Sequence, residues 1–127
     1  MGRAFKAFAV AAARAAWDKK GQNVAVLEVA RISPITDFLL LTTALSAPHL
    51  EALEVEIAKA AKGFRLNCLH RAGSQSTAWR VLDFGGLVVH LMTAETRGHY
   101  ALEKLFDDAP RVKWQSRRGA VAAGHDS

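Results

Sequence analysis

Two strand-like runs joined by Gly85-Gly86 constrain this chain more than any other feature of its sequence. Side chains of an extended backbone alternate between its two faces. Trp79, Val81 and Asp83 therefore share one side of the first run, and Arg80, Leu82 and Phe84 share the other. A glycine pair can take the positive backbone angles of a two-residue turn, so residues 87–92 are expected to fold back antiparallel. That second run is apolar on both sides except at His90, the pattern of a central strand. A helix start follows, with Thr93 as cap and Glu95 in the first turn, where an acid suits the helix dipole.

The upstream half has the same clarity of punctuation. Phe5, Phe8, Ala12 and Ala16 fall on one helical stripe. After a break at Gly21, Val24, Val26 and Val29 mark a strand, and Ser33-Pro34 ends it. Asp37 then precedes a run, residues 38–43, with the character of a buried strand. Ser46 is suited to cap the next helix, with Pro48 in its first turn and Gly63 as its stop. Within that helix Leu50, Leu53, Ile57 and Ala61 form the inner stripe, while Glu51, Glu54, Lys59 and Lys62 are expected to stay in water. A further strand is expected at about residues 64–71, before a polar loop at 72–77. The order helix, strand, strand, helix, strand, strand, strand, helix describes an α+β domain: a mixed sheet of about five strands with helices packed on it.

Charge and cysteine usage narrow the classes of function. Half of the 127 residues are hydrophobic, enough for one real core. The single cysteine, Cys68, rules out an internal disulfide and fits a reducing compartment. No run approaches the ~20 apolar residues of a membrane span, so a cytoplasmic protein is expected. The basic first twenty residues share the charge of transit peptides, but Arg14 interrupts any secretory apolar segment and the stripe above accounts for them as a helix. The net charge of +5 divides into +4 for residues 1–20, −2 for 21–110 and +3 for 111–127. The middle is thus mildly acidic, and only the ends could supply a field for nucleic acid. Residues 1–112 read as the domain and 113–127 as a flexible basic tail that could brush against RNA phosphates.

The long pattern resembles the ribosomal silencing factor family, also called Iojap-related proteins. The matching residues are Trp79, Leu82-Asp83-Phe84-Gly85, Val88-Val89-His90, Glu95-x-Arg97, and Tyr100-x-Leu102-Glu103-x-Leu105-Phe106, followed by Asp107-Asp108-Ala109-Pro110. Upstream, Ile35-Thr36-Asp37-Phe38 and Ser46 match as well, so the resemblance covers most of residues 5–112. It implies a nucleotidyltransferase-like fold. It also implies binding to the large ribosomal subunit at its fourteenth protein, which blocks joining of the small subunit when nutrients run short. The chain departs from the family pattern at Gly86, where an acid is usual, at Phe106 for Trp and at Phe38 for Tyr. Ala44 and Pro48 replace a glycine and a basic residue, so the start of the second helix should not carry the contact.

Catalytic chemistry lacks its residues. A nucleotidyltransferase needs carboxylates spaced to hold two metal ions beside a Gly-Ser turn. Here the turn is reduced to Ala44-Leu45-Ser46, residues 64–71 hold no acid, and Asp83 stands alone with Gly85 where a second carboxylate belongs. The five histidines show no ligand spacing, and Cys68 with His70 on one strand face reads as structural. No enzyme activity, metal or cofactor is expected. The alternatives are a residual nucleotide-binding protein of nucleotidyltransferase type and an RNA-binding ribosome assembly factor. What remains is a surface: Trp79, Leu82, Asp83, Phe84, Glu95, Arg97, Tyr100, Glu103 and Phe106 are the expected partner-binding residues, mixing the aromatic and charged types that anchor interfaces. His90 is expected to support them from within its strand. A homodimer through sheet faces or edges is a further expectation.

Overall fold

The computed structural model describes residues 2–100 and 102–115. Helix α1 (Gly2–Asp18) buries Phe8, Ala9, Ala12, Ala13 and Ala16, the expected stripe with Phe5 half-buried at its start. Small alanines let α1 lie close against α2 (Ala47–Gly63), whose Leu50, Leu53, Ile57 and Ala61 point inward as the spacing required. Ser46 caps α2 by accepting from the His49 amide at 3.2 Å. His49 itself accepts the Leu45 amide on Nδ1 and donates from Nε2 to the Lys19 carbonyl, both at 2.8 Å, tying the end of α1 to the start of α2.

Five strands follow in the order β1-β2-β5-β4-β3. They are β1 (Gln22–Glu28), β2 (Phe38–Ala44), β3 (His70–Ala72), β4 (Trp79–Asp83) and β5 (Leu87–Thr93). β2 and β5 run parallel at the centre and all other pairs are antiparallel, so the expected mixed sheet is found. All seven residues of β2 are buried, because helices cover one face and a smaller cluster covers the other. Between β4 and β5 the Phe84 amide donates to the Leu87 carbonyl at 2.8 Å, closing the two-glycine turn, and Gly85 takes φ +91 as that turn requires. Gly86 lies directly under the Phe5 ring, where any Cβ would collide.

Three expectations are corrected. The strand expected from residue 64 begins only at His70: Phe64 and Arg65 continue past α2 with amides bonded to Ala61 and Lys62, and Arg65 takes φ 58. Cys68 therefore precedes the strand, and its Sγ bonds the His70 carbonyl instead of sharing a strand face with the His70 ring. Glu54 does not stay in water. Its side chain is 12% exposed and pairs with Arg71 and, at 3.4 Å, with buried Arg80, clamping α2 to the β3–β4 edge.

The domain also extends beyond residue 112. Glu28 N donates to Pro110 O and Val112 N to Val26 O, each at 2.8 Å, so residues 110–112 lie along the free edge of β1. Trp114 is buried in the main core with its ring 5.9 Å from that of Trp17, and Arg14 Nε holds its carbonyl at 2.7 Å. The expected tail from 113 thus contains a packed anchor; residues 116–127 lie outside the described residues.

Candidate functional site

The two faces of the hairpin have different fates. Cross-strand neighbours share a face, so the register Arg80↔Leu91 and Leu82↔Val89 sends these four side chains toward α1 and α2. The register Trp79↔Met92, Val81↔His90 and Asp83↔Val88 sends the others to the opposite face. Over β1 and β2 that opposite face is covered by Val29, Ala109 and Phe106, which pack with Leu27, Leu39, Leu41 and Met92. Over β4 and the flank of β5 it is not closed. Trp79, Val81, Asp83, Val88 and His90 are all half-buried there, an apolar floor with one acid at its end.

Two internal bonds set the geometry of this floor. Trp79 Nε1 donates to His90 Nδ1 at 3.0 Å, with ring centroids 5.8 Å apart. Nδ1 is then the acceptor, so the neutral ring carries its proton on Nε2. Burial pushes the His90 pKa from 6.5 down to about 4, because the charged ring would lose its hydration. The imidazole is therefore a neutral support at physiological pH. At the other end, one Asp83 carboxylate oxygen accepts the Gly85 amide at 2.8 Å and pins the turn.

Of the expected partner-binding residues, Trp79 and Asp83 lie on this open face, with Phe106 half-buried against its covered half and Glu95 exposed on α3 (Ala94–Tyr100). Thr93 caps α3, its hydroxyl accepting the Thr96 amide at 3.4 Å. Leu82 and Phe84 are corrections: both are buried on the other face, where the Phe84 ring meets Phe8 edge-on at 4.9 Å. Period-two alternation already separates them from Trp79. Arg97 is a third. It is 7% exposed and its Nη1 donates to Asn23 O at 2.5 Å and Thr43 Oγ1 at 3.0 Å, fastening α3 to β1 and β2. The side chains of Tyr100 and Glu103 lie outside the described residues. Sequence reasoning passed over Val81, Val88 and Leu105. The first two were legible as same-face neighbours of Trp79 and Asp83. Leu105, in α4 (Leu102–Leu105), is 69% exposed.

Residues 3–127 match the family model described as ribosomal silencing factor during starvation. The chain belongs to the ribosomal silencing factor family. It is 34% identical over 96 residues to the ribosomal silencing factor of Halalkalibacterium halodurans, covering 76% of this chain and 82% of that one. It is 31% identical over 98 residues to the mouse mitochondrial assembly of ribosomal large subunit protein 1, covering 71% of this chain and 43% of the mouse protein. A crystal structure from Bacillus halodurans superposes with a TM-score of 0.69 at 31% identity, covering 80% of this chain and 92% of that one. These relatives are named for silencing or assembly, not for catalysis. In the strands of this silencing-factor domain the only acids are Glu28 on β1 and Asp83 on β4, with two whole strands between them. Among the described residues no three His, Cys, Asp or Glu side chains converge on a metal-sized space, and no helix is long and apolar enough to cross a membrane.

Proposed function

We propose that the open half of the sheet is the surface by which this chain seats on the large ribosomal subunit, at its fourteenth protein, and that occupying this place blocks the small subunit from joining. The observation that carries the reading is the set of Trp79, Val81, Val88 and His90, four half-buried side chains on one face of two antiparallel strands, with Asp83 at the edge. A well-formed apolar floor with an aromatic anchor and a single charge has the anatomy of an interface centre and its rim. Exclusion of one particle by another needs affinity and no chemistry, and a standard interface of roughly 1,600 Å² can supply it when its anchors become fully desolvated. Large-subunit assembly in the mouse relative's name and silencing in the bacterial names support the same partner. Ribosomal proteins are typically basic, so Asp83 and Glu95 would complement one.

Co-sedimentation with purified large subunits tests the face. Trp79→Ala and Asp83→Lys are each expected to remove the protein from the subunit peak while circular dichroism stays native. Subunit joining followed by light scattering is expected to slow in proportion to added protein, and to recover with either variant. Unchanged co-sedimentation of both variants would place the contact elsewhere. Joining at an undiminished rate with wild-type protein bound would refute steric exclusion itself.

A further inference from the structure

A concave region elsewhere on the domain shares no residue with the open face. It is an open-sided cleft of about 690 Å³ between the start of β1, the end of β2, α3 and the segment that begins at residue 110. Arg97, Lys104 and Arg111 reach it from three separate parts of the chain, and no carboxylate is among its described lining residues. Arg97 is held in place by its bonds to Asn23 O and Thr43 Oγ1, while Lys104 and Arg111 are exposed. Asn23 takes φ 47 in a bulge of β1, which turns its carbonyl to Arg97 and interrupts the ladder with β2 beside the cleft.

Lys104 and Arg111 place two exposed positive charges on one hollow, and an anion that touches both relieves their repulsion beside the wall that Arg97 forms. A carboxylate has two oxygens on one plane. A phosphoryl group presents three or more acceptors in a tetrahedral spread, and guanidinium forks match it. The volume is in the ordinary range of a small-ligand site, large enough for more than one such group.

We infer that this cleft binds phosphoryl groups, with Arg97 as its fixed wall and Lys104 and Arg111 as its two exposed arms. The phosphates can come from an RNA backbone or from a small phosphorylated molecule, which share this chemistry. Neither source depends on the partner proposed for the Trp79 face.

The test uses the full chain and two probes: a fluorescein-labelled twelve-nucleotide RNA followed by anisotropy, and inorganic pyrophosphate followed by calorimetry. Four variants accompany the wild type, among them Lys104→Glu/Arg111→Glu, Trp79→Ala, and Arg117→Glu/Arg118→Glu as a control for the basic end. Lys104→Gln/Arg111→Gln guards against an effect of added acids. Reversal at 104 and 111 is expected to weaken binding at least tenfold and to lower the salt slope by about 1.4, roughly 0.7 for each lost phosphate contact on a single strand. Trp79→Ala should bind as wild type. A loss seen with RNA alone identifies the backbone as the source, and a loss seen with pyrophosphate alone identifies a small ligand. Absence of binding to both probes, unchanged binding by the 104/111 variants, or a loss confined to the 117/118 variant overturns the site.

Discussion

Trp79 and His90 lie diagonally across β4 and β5, and a single hydrogen bond from indole Nε1 to imidazole Nδ1 at 3.0 Å joins them. The bond fixes the indole plane on a rigid pair of strands before any partner arrives. A large aromatic side chain already held in one orientation loses little freedom on binding, which favours an anchor role. It also explains a histidine inside an otherwise apolar strand: the ring is an acceptor matched to the indole donor, so neither polar atom is left unpaired.

The same bond predicts a pH dependence. Above pH 6.5 His90 is neutral in both folded and unfolded chains and contributes no slope. Between 6.5 and about 4 the unfolded chain takes up the proton that the folded chain refuses, so stability falls as pH drops, by roughly 3 kcal/mol in all at about 1.4 kcal/mol per unit. Below about 4 both states are protonated and the loss levels off. His90→Gln keeps an acceptor without a titrating group. Urea unfolding at pH 7, 5.5 and 4.5 should show the wild type losing its margin relative to His90→Gln on acidification, and parallel curves would contradict the burial.

Arg97 supports a second prediction because the structure moves it from the surface to the frame. Arg97→Ala strands the Asn23 carbonyl and the Thr43 hydroxyl and should lower unfolding stability by about 2–3 kcal/mol. Arg97→Lys retains the charge without the planar fork and should recover less than half of it. Ribosome co-sedimentation per folded molecule is expected to change little in either variant, which separates a framing residue from a contact.

These two residues show where the sequence is readable and where it is not. Alternation and spacing specify the faces of β4, β5 and α2, because period two and period 3.6 are properties of the backbone. Leu50, Leu53, Ile57 and Ala61 are buried as their spacing demands. The resemblance in contrast marks positions without roles: Leu82, Phe84 and Arg97 belong to the pattern, and each is used inside the fold. Glu54 looked solvated because its helix position is outward, and only the tertiary approach of Arg71 and Arg80 removes it from water. The strand expected at 64 failed because Arg65 adopts a left-handed backbone to close the helix, a choice that local propensity does not favour.

Trp114 illustrates the reverse error, a packed element read as tail, although Val112 and Trp114 alternate as a strand edge would. The residue is buried against Trp17 and the main core. Trp114→Ala should cost about 3 kcal/mol, the low end for a buried tryptophan since the site is at the rim of the domain, and lower Tm by about 9–15 °C. Arg14→Ala removes the charged donor to the Trp114 carbonyl and should cost about 1 kcal/mol. Differential scanning calorimetry of both variants checks the order, and a Trp114 variant as stable as wild type would return the domain boundary to 112.

The Phe5 ring rests on Gly86 and fills the space that a side chain there would need. Gly86 is not in the left-handed region, so the obstacle to a side chain is the ring and not the backbone. Gly86→Glu should therefore cost about 1–2 kcal/mol by pushing Phe5 aside, a typical overpacking penalty for a side chain that can swing at the first turn of a helix. In a Phe5→Ala background the same substitution should be nearly neutral, giving a coupling of at least about 1 kcal/mol in a double-mutant cycle. Chemical unfolding of the four proteins measures it. Additive costs would mean that the ring is not what holds this position as glycine. If the coupling is found, Phe5→Ala/Gly86→Glu becomes a fold-competent chain whose added acid points to the α1 side of the turn, away from the face that carries Asp83, and on the proposed reading it should bind large subunits as wild type does.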